Sequence, residues 1–199
     1  MGGCTGKEKA PSTNTVANEN EYHHIFKIVI LGDVNVGKSC VLLRYLQNVF
    51  TDTVATIGED LQDRIVTIGK TRVKLQFSDT AGAERYRQIT LSYYSAAAAA
   101  IIVFDITKRS SFETVKNWKE DVEVNVKNKN KEPPIFIVVG NKSDLAAERQ
   151  VTTEEAQALA SSLGMDYYET SAKDGVGINE MIDELSQALL KRHTTDDDA

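Results

Sequence analysis

The stretch Ile25–Leu46, "IFKIVILGDVNVGKSCVLLRYL", decides how the chain is read. Its opening run, Ile25–Leu31, is apolar and β-branched with the length of a buried strand, and Gly32 ends it. From Val41 the pattern turns helical, so strand, tight loop and helix follow in direct succession. The loop "GDVNVGKS", Gly32–Ser39, fits G-x-x-x-x-G-K-[ST] in the strand–loop–helix setting that pattern needs. Glycine lets backbone N–H groups wrap phosphate oxygens, and a helix N-terminus favours negative charge. The cofactor-binding candidates here are therefore Gly32, Asp33, Asn35, Val36, Gly37, Lys38, Ser39 and Cys40. Lys38 reaches the β- and γ-phosphates and the Ser39 hydroxyl is available to Mg²⁺.

Outward from this stretch, "DRIVTI" and "RVKLQF" flank Gly69-Lys70-Thr71 and predict a hairpin, because glycine supplies turn geometry between two alternating runs. "AAAAAIIVFDIT" predicts a buried strand, its alanines (Ala96–Ala100) allowing close packing of helix on sheet. Ser110 and Glu113 have capping-box spacing, with Phe112, Val115 and Val122 on one helical face. "PPIFIVVG" is a further buried strand. Thr152–Glu155 is a second capping box, followed by Ala156, Leu159, Ala160 and Leu163 on one face and Gly164 as a stop. Ile178, Met181, Ile182, Leu185 and Leu189 stripe a last helix. Continuous apolar strands alternating with helices predict an α/β fold, a mostly parallel sheet covered on both faces. Ligands of such sheets sit beyond the carboxyl ends of the strands.

The chain has 199 residues, 41% hydrophobic and 26% charged, which fits one globular domain. A net charge of −6 argues against nucleic acid as a partner and opposes adsorption to an anionic membrane. Two cysteines, Cys4 and Cys40, indicate neither a disulfide framework nor a zinc site and fit a reducing compartment. No stretch has the length of a membrane span or the apolar core of a signal peptide. Residues 1–24 are small, polar and aperiodic, and are expected to form a flexible arm. Residues 25–193 are expected to be the domain and 194–199 a solvated acidic tail.

A phosphate loop alone does not name the base. "NKSD", Asn141–Asp144, follows a predicted strand directly, and a carboxylate there can accept the paired N–H donors of guanine. Adenine offers no such pair, which disfavours a P-loop ATPase or nucleotide kinase. "SAK", Ser171–Lys173, follows the next strand and offers a backbone N–H to the guanine carbonyl. Asn141, Lys142, Asp144, Ser171, Ala172 and Lys173 join the cofactor-binding candidates.

With "TIG" at Thr56 and "DTAG" at Asp79, these motifs stand in the order and approximate spacing of the Ras superfamily of small GTPases, which the chain resembles over about Ile25–Lys191. "AERYRQIT", "YY" and "IIVFDIT" resemble the Rab branch. The resemblance implies a six-stranded P-loop G domain with one antiparallel strand, GTP or GDP with Mg²⁺ as cofactors, and a switch read by an exchange factor, a GTPase-activating protein and effectors. It implies that Thr56 closes on Mg²⁺ and the γ-phosphate, that Asp79 holds the metal through water, and that the Gly82 N–H contacts the γ-phosphate. Phosphate loss then releases both loops.

The departures are specific. Ala83 stands where the family usually has a water-orienting glutamine, so no residue is assigned a catalytic role. Val34 stands where Gly or Ser is commoner and crowds the space of the reacting phosphate. Both imply slow intrinsic hydrolysis, and leave open a nearly hydrolysis-deficient, GTP-bound scaffold. Leu61 and Ser78 replace aromatic residues that many Rab proteins present to effectors, with Tyr93 retained. Phe50 either stacks edgewise on the base or simply packs. The chain ends "TTDDDA" where Rab proteins have prenylated cysteines. Gly2 suggests myristoylation, although Gly6 replaces the Ser or Thr of the full pattern, and Cys4 would add palmitoylation; an unmodified arm is the alternative. The expected location is the cytosolic face of an intracellular or plasma membrane. Cys40, Trp118 and Met181 read as packing residues, and His23-His24 as a metal pair or a solvated boundary.

Overall fold

The computed structural model describes residues 21–51, 59–80, 94, 96–126 and 133–197. Strand β1 (His24–Leu31) leads through the loop into helix α1 (Lys38–Gln47), followed by β2 (Glu59–Ile68), β3 (Thr71–Thr80) and β4 (Ala99–Asp105). Helices α2 (Arg109–Glu113) and α3 (Val115–Val126), β5 (Ile135–Asn141), a 3-10 turn at Ser143–Glu148, α4 (Thr153–Ser162), β6 (Asp166–Thr170) and α5 (Ile178–Asp197) complete it. The strands form one six-stranded sheet in the order β2-β3-β1-β4-β5-β6. Only the β2–β3 pair is antiparallel, with Ile68 opposite Thr71. The turn is thus the two residues Gly69-Lys70, and Thr71 belongs to the strand. Gly69 takes φ 61°, a region its missing Cβ leaves open.

Period-two alternation within buried strands explains the two apolar layers. Ile28 and Ile30 of β1 and Ile101 and Val103 of β4 join Val41, Leu42 and Tyr45 of α1 and Ile178, Met181, Ile182, Leu185 and Leu189 of α5. Val29, Leu31, Ile102 and Phe104 face the other way, against Phe112, Val115, Trp118, Val122, Ala156 and Ala160 of α2–α4. Each large side chain so buried contributes about 1.5–3 kcal/mol relative to exposure. Ala99 and Ala100 open β4 fully buried, one in each layer. Met181 and Trp118 are packing residues, one in each layer.

Two helix starts differ from each other. The Thr152 box forms as expected: its hydroxyl accepts from Glu155 N (3.2 Å), and Thr152 N donates to the Glu155 carboxylate (3.3 Å). Gly164 (φ 68°) follows the end of α4. The expected box at Ser110 does not form. The N-cap of α2 is Lys108, without a side-chain cap, and Ser110 is exposed inside the first turn. Tertiary partners take over: Arg109 N donates to Gln150 Oε1 (3.1 Å), and Asp105 N donates to Ser111 Oγ (3.1 Å). At the far end, α5 continues through Asp197, inside the stretch expected as a tail, with Thr194 and Thr195 hydroxyls donating back to Leu190 and Lys191 carbonyls. His23 stays exposed at the entry to β1, with Arg72 N donating to its Nδ1 (2.9 Å), and the half-buried His24 ring lies 4.6 Å from that of His193. Among the described residues no group of three metal-ligating side chains forms.

The contrast between the helix starts is measurable by urea unfolding. Thr152→Ala is expected to cost about 1 kcal/mol. Ser110→Ala should stay within roughly 0.5 kcal/mol of the unsubstituted protein.

Candidate functional site

The loop between β1 and α1 is possible only with glycine at two places. Gly32 has φ 136°, and a Cβ on it would lie 2.1 Å from the Val103 carbonyl oxygen. Gly37 has φ 97°, and its Cβ would lie 2.4 Å from Asn141 Nδ2. The loop therefore rests directly on the ends of β4 and β5. Asn35 also adopts positive φ, a region asparagine tolerates, while Val36 is buried in the core. Helix α1 begins after Gly37 with no side-chain cap and no acidic residue in its first turn. Such a helix start offers its N–H groups and its dipole to an anion.

Lys38 is the charge at the floor of this loop. It is only 5% exposed, and its Nζ donates to the carbonyl oxygens of Gly32 (2.8 Å) and Asp33 (2.7 Å). Burial pulls its pKa down to about 8, against the opposing pull of Asp79 and Asp33. Asp79, next to last in β3, stands beside Ile30 of β1 and is 3% exposed. With the Ser39 hydroxyl in the first turn of α1, it supplies the hard oxygen chemistry that suits Mg²⁺. Cys40 packs half-buried against the core, its Sγ 3.8 Å from the Thr51 oxygen, and Phe50 stands 38% exposed after α1.

The second half of the site is organised by Asn141. Its Nδ2 donates to Val36 O (2.9 Å), and its Oδ1 accepts from Thr170 Oγ1 (3.2 Å) and Ala172 N (3.3 Å). One buried carboxamide thus joins the loops after β1, β5 and β6. Within Ser171–Lys173, the stretch expected to offer a backbone N–H to the base, the Ala172 N–H is engaged by Asn141. Ser171 Oγ donates to Asp144 Oδ1 (2.7 Å) and accepts from Asp174 N (3.0 Å), while Lys173 Nζ lies 3.9 Å from Asp144 Oδ2. Lys142 takes φ 70° and pairs with Asp105 at 2.6 Å.

Several supports have no local sequence signal. Asp105, at the end of β4, holds Lys142 and accepts from Thr107 N and Oγ1. Arg44 of α1 donates through Nε to Ala172 O (2.8 Å) and through Nη2 to Lys173 O (2.6 Å). Glu169, just ahead of the Ser171 loop, pairs two oxygens with Arg149 at 2.8 and 2.9 Å and accepts from Thr153 and Tyr167 hydroxyls. Arg149 foremost holds the Glu169 carboxyl down to about 2, and burial pushes the Tyr167 hydroxyl up. Only the folded chain brings these residues together. Thr56, Gly82, Ala83, Tyr93, Gly2 and Cys4 lie outside the described residues.

A phosphate-type loop, a buried lysine and a strand-end asparagine–aspartate loop meet at the carboxyl edge of one sheet, and a model of the Ras family matches residues 27–191. The chain belongs to the Ras family, in its Rab-like branch. It is 44% identical to Ras-related protein Rab-39A of Homo sapiens, over 83% of this chain and 78% of that protein. It is 42% identical to GTP-binding protein YPTM1 of Zea mays (86% and 81%), and 39% identical to Ras-related protein Rab-13 of Mesocricetus auratus (85% and 82%). For this Rab-like chain the residues present fit a phosphate ligand with a divalent cation: a glycine cradle that admits no Cβ, a buried ammonium, and hard oxygen donors.

The depressed pKa of Lys38 has a signed consequence. A bound phosphate favours the ammonium and raises that pKa, so binding takes up a proton once the free site begins to deprotonate near 8. GDP affinity should be flat near neutral pH and fall above 8, by at most about tenfold per pH unit. Fluorescence titration up to about pH 9 checks this. Lys38→Arg, whose guanidinium stays charged, should lack the inflection.

Proposed function

We propose that the chain is a Rab-like GTP/GDP switch that binds guanine nucleotide with Mg²⁺, hydrolyses GTP slowly unaided and recruits effectors in vesicle or membrane traffic. The observation that carries the reading is the joining of the loops after β1, β5 and β6 through Asn141 at the carboxyl edge of the sheet. Lys38 and the backbone of Gly32–Gly37 would hold the phosphates, and Asp144 would accept the paired donors of guanine. Ser39, Thr56 and Asp79, the last through water, would hold Mg²⁺, which supplies charge neutralisation at the phosphates when bound. Gly82 and Thr56 would sense the γ-phosphate.

Ala83 carries no group that can orient water, which is the reason for slow unaided turnover. A GTPase-activating protein can supply the missing glutamine together with an arginine, the latter worth on the order of 10³–10⁵ in rate. A nearly hydrolysis-deficient scaffold is the second reading. It is favoured by Val34, a branched side chain 45% exposed on the phosphate loop. Membrane attachment is proposed through acylation at Gly2 and Cys4, at the cytosolic face of an intracellular or plasma membrane. No helix among the described residues is long and apolar enough to cross a membrane.

Purified protein should carry guanine nucleotide, and single-turnover GTP hydrolysis should speed up about tenfold or more in Ala83→Gln. Equal rates would remove the slow-turnover reading, and a preference for ATP would remove the GTPase reading. Gly2→Ala should shift the protein from the membrane to the soluble fraction of a cell lysate. Unchanged fractionation counts against acylation.

A further inference from the structure

We propose that Trp118 and Thr114 are positioning residues of the phosphate loop, acting through the Asp33 carboxylate, so that the α2–α3 junction sets how long nucleotide stays bound. The proposal rests on the guanine-nucleotide reading above. Trp118 Nε1 donates to Asp33 Oδ1 at 3.0 Å, and Thr114 Oγ1 lies 2.9 Å from the same oxygen. The indole N–H can only donate. The Thr114 hydroxyl is shared with the Ser111 carbonyl at 3.0 Å, so Trp118 is the principal anchor.

The topology gives this contact its effect. Thr114 sits at the break between α2 and α3, and Trp118 lies in the first turn of α3. Helix α3 packs on the sheet face opposite α1. The loop is therefore gripped from both layers: Lys38, opening α1, takes the Gly32 and Asp33 carbonyls, and α3 takes the Asp33 side chain. Between those grips, Val34 and Asn35 are exposed, and Asn35 stands at positive φ, so the outer limb gains little support from its own packing.

A carboxylate in a loop that receives phosphate is a like-charge liability. Two neutral donors on one oxygen hold it on the α3 side and stabilise it there. With them removed, the carboxylate is released into the loop, where repulsion and lost order both shorten the lifetime of a bound phosphate. Trp118 is 8% exposed in the second apolar layer, and phenylalanine would serve packing there. The indole N–H is the part of the side chain that packing does not require.

The test uses the full chain loaded with a fluorescent GDP analogue and Mg²⁺ and chased with unlabelled GDP. Trp118→Phe keeps an aromatic ring and removes the donor, and release should quicken about tenfold. Thr114→Val keeps the shape and should quicken release by a smaller factor. In an Asp33→Ala background Trp118→Phe should change release by less than about twofold, because the pair is already broken. A full multiplicative effect in that background overturns the proposal, since Trp118 would then act by packing alone. Unchanged release in both single variants, with binding intact, overturns it too. If Trp118→Phe fails to fold, Thr114→Val alone and in the Asp33→Ala background decides. Trp118 is the one tryptophan of the chain, so its emission should shift when EDTA strips the nucleotide, and that shift should vanish in Asp33→Ala. Failure of the unsubstituted protein to bind GDP overturns the nucleotide reading itself, which is distinguishable from unchanged release.

Discussion

The Asn141 carboxamide is the interaction on which the site depends. It lies buried at the end of β5 and bonds outward to Val36 in the loop after β1 and to Thr170 and Ala172 at the end of β6, two segments far from it and from each other in the chain. Its partners are main-chain groups and a hydroxyl, so its loss would leave buried polar groups without their bonds, at about 1–3 kcal/mol each. Gly37 follows from the same constraint, because a methyl group at that position would collide with the amide nitrogen. The strands fix where β1, β5 and β6 end, and Asn141 fixes where their loops stand relative to one another.

Around that tie the electrostatics are deliberately unbalanced. Lys38 is buried against two carbonyl oxygens, with its pKa depressed by desolvation in spite of Asp79 and Asp33. A buried ammonium in that condition gains when an anion arrives. The opposite arrangement holds after β5 and in β6: Lys142 is matched to Asp105, and Arg149 to Glu169 in a two-bond pair. The loop after β1 thus keeps a desolvated ammonium, while Lys142 and Arg149 are each matched to a carboxylate.

Much of this was open to a reader of the sequence. The run Ile25–Leu31, the glycine loop and the apolar stripe Ile178–Leu189 have periods that only a strand, a tight turn and a helix satisfy, and each stands where expected. The Thr152 box was legible because both partners lie within one turn. The Ser110 box had the same spacing and was not formed: the helix starts earlier, with Lys108 at the N-cap, and Gln150 from outside the segment accepts from Arg109 N. Arg44 carried no signal as a support of the Ala172–Lys173 backbone, being one more basic residue in the last turn of a helix.

The sequence by itself determined the elements, their order, the family and the residue types proposed to meet a phosphate and a base, because periodicity, glycine geometry and motif spacing are local properties. The tertiary structure alone decided that Asp105 would hold Lys142, that Arg44 would hold the last loop, that Asn141 would be a tie, and that Trp118 would reach Asp33 across 85 positions. A hydrogen bond depends on distance and angle in space. The chain fixes those only after both faces of the sheet have been covered.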